Sequence, residues 1–173
     1  MKRFVHITIL SVGIICLAIN CARPTEWQEF SPQGDGFSVQ MPGEPKQMSF
    51  RFDDEEDGTV EMQYYRARTP GHRYYVLYSN VIEPEDLDEF MDMGFQMRWG
   101  DWEFEDTDIL YNGHSGKEMK FRNKRSTIVS RTYIIDDKLY QLSVRYQNKK
   151  LSSSDVERFF NSFTIDESVR DSL

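Results

Sequence analysis

The chain has 173 residues, 29 acidic and 21 basic, for a formal net charge of −8. That length lets one domain bury enough surface to be held by packing, and the acidic balance opposes nonspecific adsorption to nucleic acid or anionic lipid. The only cysteines are Cys16 and Cys21, so the body that follows has no disulfide framework and no thiol nucleophile.

Lys2 and Arg3 precede an almost wholly apolar run at residues 4–19, and Asn20 closes it, which is the order of regions in an export signal. The run is shorter than the about twenty apolar residues a spanning helix requires, although an uncleaved anchor and ordinary secretion both stay open as alternatives. Residues 17–21, LAINC, resemble the lipobox of bacterial lipoproteins, in which a cysteine thiol is acylated and becomes the new N-terminus after cleavage. The resemblance implies a lipoprotein-type signal peptide at residues 1–20, with Cys21 as the attachment site for lipid, palmitate included. It also implies a membrane anchor through that lipid, which is stable when two or more chains are attached. Ala22 stands where aspartate is associated with inner-membrane retention, which favours an outer-membrane destination facing the periplasm.

Residues 21–26 form a short lipidated tether, and residues 22–26, extended at about 3.5 Å per residue, keep the domain within roughly 18 Å of its anchor. Residues 27–166 read as a single α+β domain and residues 167–173 as a polar tail. Phe37, Val39 and Met41 alternate with Ser38 and Gln40, and Pro42-Gly43 suits the centre of a type II turn. The segments TVEMQYYRAR and HRYYVLYSNVI flank TPG, a hairpin signal. Tyr74, Val76 and Tyr78 oppose Tyr75 and Leu77, so both faces of the second strand are apolar and it belongs in the middle of a sheet.

After Pro84 the period changes to a helical one, with Leu87, Phe90, Met91 and Gly94 on one stripe and Gly100 as a stop. Asn112-Gly113 and Asp136-Asp137 mark two further hairpin turns. Tyr140, Leu142, Val144 and Tyr146 alternate along the last long strand. In SSSDVERFFNSF, Ser154 and Glu157 have capping-box spacing, while Val156, Phe159, Phe160 and Phe163 make one apolar stripe. The expected architecture is a largely antiparallel sheet of hairpin-linked strands packed with two main helices.

The segments GFSVQMPGEP, YYVLYSNV, NGHSGKE, RTYIIDDKLYQLSV and VERFFNSFTI resemble a family of poorly characterised bacterial lipoproteins and envelope proteins with a PsbP/Mog1-like fold. The resemblance implies an antiparallel sheet between helices, and none of these motifs carries known chemistry.

Catalytic signatures fail on inspection. In GHSGK, Lys117 occupies the last glycine position of a nucleophile elbow, and Tyr111 and Glu118 break a phosphate loop. DDEEDG at residues 53–58 partly matches a calcium loop, but Glu55 and Tyr64 depart from it. His72 and His114 lack partners at zinc-ligand spacing. A hydrolase built on paired carboxylates remains a reading that spatial placement alone could support.

Trp99 and Trp102 flank a glycine and fit core packing better than ligand contact, and Met91, Met93 and Met97 do not share a stripe. Residues 83–108 hold eleven acids and one base, and residues 117–131 hold six bases and one acid, so a dipolar domain is expected, as two solvated faces or as a docking surface. The expected function is a non-enzymatic cell-envelope lipoprotein serving as a binding or accessory module for another envelope component. It would have no cofactor, metal or nucleic-acid partner. The alternative is a small-ligand binder with a tyrosine-lined pocket between the sheet and the first helix, using Tyr64, Tyr74 and Tyr78.

Overall fold

The computed structural model describes residues 26–54, 58–79, 102–148 and 152–165. In chain order they form β1 (Trp27–Phe30), β2 (Phe37–Pro42), β3 (Lys46–Asp54), β4 (Gly58–Thr69), β5 (His72–Ser79), β6 (Glu103–Tyr111), β7 (His114–Arg122), β8 (Ser126–Ile135), β9 (Lys138–Gln147), α1 (Ser153–Asn161) and β10 (Thr164–Ile165). β3 to β9 make one seven-stranded sheet in the order β3-β4-β5-β9-β8-β7-β6, and β1, β2 and β10 make a small sheet with β2 at its centre. Neighbouring strands pair antiparallel throughout.

Turn chemistry sets the registers. Asn112 and Gly113, at φ 47° and 86°, close the β6–β7 hairpin, and Asp136 and Asp137, at φ 51° and 58°, close β8–β9. Two successive residues at positive φ give the twist a two-residue antiparallel hairpin needs. Pro70-Gly71 joins β4 to β5 with Thr69 opposite His72, and β5 lies between β4 and β9 in the interior of the sheet.

The core forms where β2 and α1 cover one face of the large sheet. Phe37, Val39 and Met41 of β2 meet Tyr65 and Ala67 of β4, Tyr74, Val76 and Tyr78 of β5, Leu142 and Val144 of β9, and Phe159 and Phe160 of α1. Phe163, just past the helix, contacts the rings of Phe37, Tyr111, Tyr133 and Tyr140 at 6.1, 5.4, 6.0 and 5.7 Å. The helix is held to β2 by polar links as well. Arg158 Nε donates to Gln40 Oε1 at 2.6 Å, and the Gln40 backbone N–H donates to Ser162 Oγ at 2.9 Å. On the opposite sheet face Met119 and Phe121 form a second buried cluster against Ile128 and half-buried Trp102, so this tryptophan serves packing.

Two expectations need correction. One helix is present among the described residues, so two main helices are not borne out; the helix expected after Pro84 lies outside the described residues. The capping box at Ser154 and Glu157 does not form either. The helix begins at Ser153 with Ser152 as its cap, two residues before the expected cap, and the Ser152 backbone N–H is engaged by His72 Nε2 at 3.3 Å.

Candidate functional site

One end of the large sheet gathers cations from three strands and a turn. The two-residue Pro70-Gly71 connection places Arg68 of β4 directly opposite Arg73 of β5, and Arg73 stands directly opposite Arg145 of β9. Three arginines therefore occupy one row on one sheet face, since residues directly paired across antiparallel strands share a face. Like charges in that position destabilise a sheet.

The β7–β8 turn adds two more. Asn123 Oδ1 accepts the backbone N–H groups of Arg125 and Ser126, both at 2.9 Å, which fixes the turn in the manner of an Asx motif. Asn148, beyond the end of β9, ties it down. Its Nδ2 donates to the Asn123 carbonyl at 2.8 Å, its backbone N–H donates to the Arg125 carbonyl at 3.1 Å, and its Oδ1 accepts from Thr127 Oγ1 at 2.8 Å. The Gln147 N–H, in turn, donates to the Gly71 carbonyl at 3.2 Å. The β4–β5 turn, the end of β9 and the β7–β8 turn are thus one hydrogen-bonded unit.

Between them lies a cleft of about 710 Å³ lined by Arg68, Arg73, Lys124, Arg125 and Arg145, with no carboxylate among its lining residues. No ion pair within the described residues engages the side chains of Arg68, Arg73, Lys124 or Arg125. In a chain whose net charge is −8, this concentration of positive side chains is chemically suited to phosphate or carboxylate, and arginine can grip either in bidentate fashion.

His72 also lines the cleft, from the sheet face opposite the arginine row. It is buried between Tyr74 and Tyr146, at ring distances of 6.1 and 6.0 Å. Because Nε2 accepts from Ser152, a neutral imidazole carries its proton on Nδ1. Burial holds its pKa below the ordinary 6.5, against the opposing pull of Asp155.

The residues expected to carry function are distributed otherwise. Cys21 lies outside the described residues. Tyr74 and Tyr78 are core residues, packed by Trp27 and Phe159 and by Phe37 and Tyr140; burial, reinforced by Asp35, pushes Tyr78 up to about 12. Tyr64 sits on the opposite sheet face, stacked on Tyr75 at 5.5 Å. The register pairs Tyr65 with Val76 and Tyr64 with Leu77, so these three tyrosines do not line one pocket.

Ser115 is an exposed residue of β7 just after the Asn112-Gly113 turn. The central residues of the DDEEDG segment lie outside the described residues. Among the described residues no three His, Cys, Asp or Glu side chains come together in a metal-binding group. Most of the acidic segment expected to form one pole, residues 83–101, lies outside the described residues; where the two segments meet, β6 pairs with β7 and Lys120 meets Glu105 at 3.7 Å.

The row of arginines was missed because its members are dispersed in sequence. Arg68 and Arg73 could have been aligned by counting outward from the TPG turn. Arg145 could not, because its pairing with Arg73 depends on the long-range β5–β9 contact.

No family model matches the chain and no curated protein matches it. Among solved structures it is similar to the solution structure of cyanobacterial PsbP (CyanoP) from Synechocystis sp. PCC 6803. The similarity has a TM-score of 0.55 at 15% identity and covers 91% of this chain and 97% of that one. Identity at this level speaks to architecture alone, and the architecture is a PsbP-like α+β fold.

Proposed function

We propose that the protein is a non-catalytic, lipid-anchored binding module of the bacterial cell envelope, and that it engages an anionic group of another envelope component through the arginine-lined cleft. The observation that carries this reading is the row Arg68, Arg73 and Arg145, an arrangement that opposes folding stability and is chemically matched to an anion. The anchor rests on the lipobox-like segment ending at Cys21. No helix among the described residues is long and apolar enough to cross a membrane. The tyrosine-pocket alternative gains no support from the placement of Tyr64, Tyr74 and Tyr78.

The test is a calorimetric titration of the full chain, held in neutral detergent, with inorganic pyrophosphate as the probe. Saturable binding that weakens with salt and is abolished by Arg68→Glu with Arg73→Glu supports the reading. Absence of binding, or binding unchanged by those substitutions, contradicts it.

A further inference from the structure

The cleft and the entry point of the tether lie at the same end of the domain. Trp27, the first residue of β1, packs edge-on against Tyr74 at 5.3 Å, and Tyr74 stacks on His72, which lines the cleft. β1 then runs away from that end, bringing Phe30 against Tyr65 at 4.9 Å, and Tyr65 pairs with Val76 farther along β5. The chain that precedes Trp27 therefore joins the domain at the end of the sheet that carries the Arg68–Arg73 hairpin, on the core face, with the arginine row on the other face.

Only residues 22–26 separate Cys21 from Trp27, a reach of at most roughly 18 Å at about 3.5 Å per residue. That is little more than two Debye lengths at physiological salt, each about 8 Å. A domain anchored at Cys21 would hold the cleft beside the bilayer surface. The net charge of −8 repels an anionic surface over the molecule as a whole, so attraction at this one end sets an orientation rather than general stickiness.

We infer that the partner bound by the cleft is the membrane itself: the row Arg68, Arg73 and Arg145, with Lys124 and Arg125, binds phosphate headgroups of anionic lipids and seats this end of the domain on the bilayer beside its own anchor. The inference rests on the anion-binding reading of the cleft and names its occupant. Arginine forks bind phosphate oxygens in bidentate geometry, and basic clusters next to a membrane anchor are drawn to anionic headgroups within a Debye length. The Arg125 and Ser126 amides bonded to Asn123 Oδ1 fix the turn backbone that carries Lys124 and Arg125 before any lipid arrives.

The experiment compares the full chain reconstituted into nanodiscs of phosphatidylcholine alone with nanodiscs containing about 30 mol% phosphatidylglycerol, a surface negative enough to attract juxtamembrane cations. Hydrogen exchange is read at the Arg68–Arg73 hairpin and at residues 123–126. The expected result is exchange slowed roughly severalfold on anionic discs, with the effect lost when salt rises to about 0.5 M and absent in both Arg68→Glu/Arg73→Glu and Lys124→Glu/Arg125→Glu. Protection by inorganic pyrophosphate on phosphatidylcholine discs, without protection by phosphatidylglycerol, overturns the inference and leaves the anion-binding reading standing. Protection by neither overturns both, and protection by phosphatidylglycerol that survives the charge reversals overturns the assignment to these residues.

Discussion

The imidazole of His72 accepts the backbone N–H of Ser152 at 3.3 Å and so satisfies, from strand β5, the capping residue of helix α1. An imidazolium has no lone pair to offer there, so protonation of His72 and docking of the helix start oppose each other.

A pH dependence follows. The unfolded imidazole titrates near its ordinary 6.5, whereas burial holds the folded one lower, with Asp155 opposing. Between the two values the unfolded chain binds more protons, so stability is intact above 6.5 and falls as pH is lowered through that value toward the folded pKa. Urea unfolding of the full chain across this range is expected to lose up to about 1.4 kcal/mol per pH unit. His72→Gln, which keeps a side-chain acceptor, is expected to flatten the slope. Identical slopes for the two proteins would remove His72 from the account.

Phe163 joins the helix to both sheets through its four aromatic neighbours. Truncation by Phe163→Ala leaves a cavity among rings that cannot close around it, at a cost of about 3–5 kcal/mol. The denaturation midpoint should drop accordingly with little change in slope, whereas a loss under about 1 kcal/mol would mean that the helix end contributes little to the core.

Gly116 is a site of close approach rather than of turn freedom. A Cβ there would lie 2.5 Å from Tyr133 Cδ1 and 2.6 Å from the Thr132 carbonyl oxygen. Tyr133 is in turn stacked nearly parallel to Phe163, with 6° between the planes, so its ring has little room to retreat. Gly116→Ala should cost about 1–3 kcal/mol by overpacking; a neutral result in chemical denaturation would show that the β7–β8 pair can separate locally.

Much of the architecture was readable from local chemistry. Asn112-Gly113 and Asp136-Asp137 demanded positive φ and adopt it, and the alternation of Tyr140, Leu142, Val144 and Tyr146 gives four buried residues along β9. The helix of residues 153–161 was readable from its stripe, but its first residue was not, and the acceptor that meets its cap, His72, comes from a strand far away in sequence. The same limit hid the cleft. Hairpin turns pair strands that follow one another, so Arg68 and Arg73 meet by local rules. The joining of β5 to β9, which brings in Arg145, is decided by packing of the whole sheet. Tyr64 misled because aromatic content predicts burial without predicting on which face it occurs.

The arginine row is most directly tested by Arg73→Gln, which removes the middle charge while leaving an exposed, hydrogen-bonding side chain. Thermal and urea unfolding of the full chain are compared with and without inorganic pyrophosphate. Without ligand and at low salt, the variant is predicted to be more stable than the parent by about 0.2–1 kcal/mol, through relief of directly opposed like charges. With pyrophosphate at about a hundred times its dissociation constant, the parent is predicted to gain about 2.7 kcal/mol and the variant to gain much less. A variant that is less stable without ligand yet keeps the full pyrophosphate gain would contradict the account.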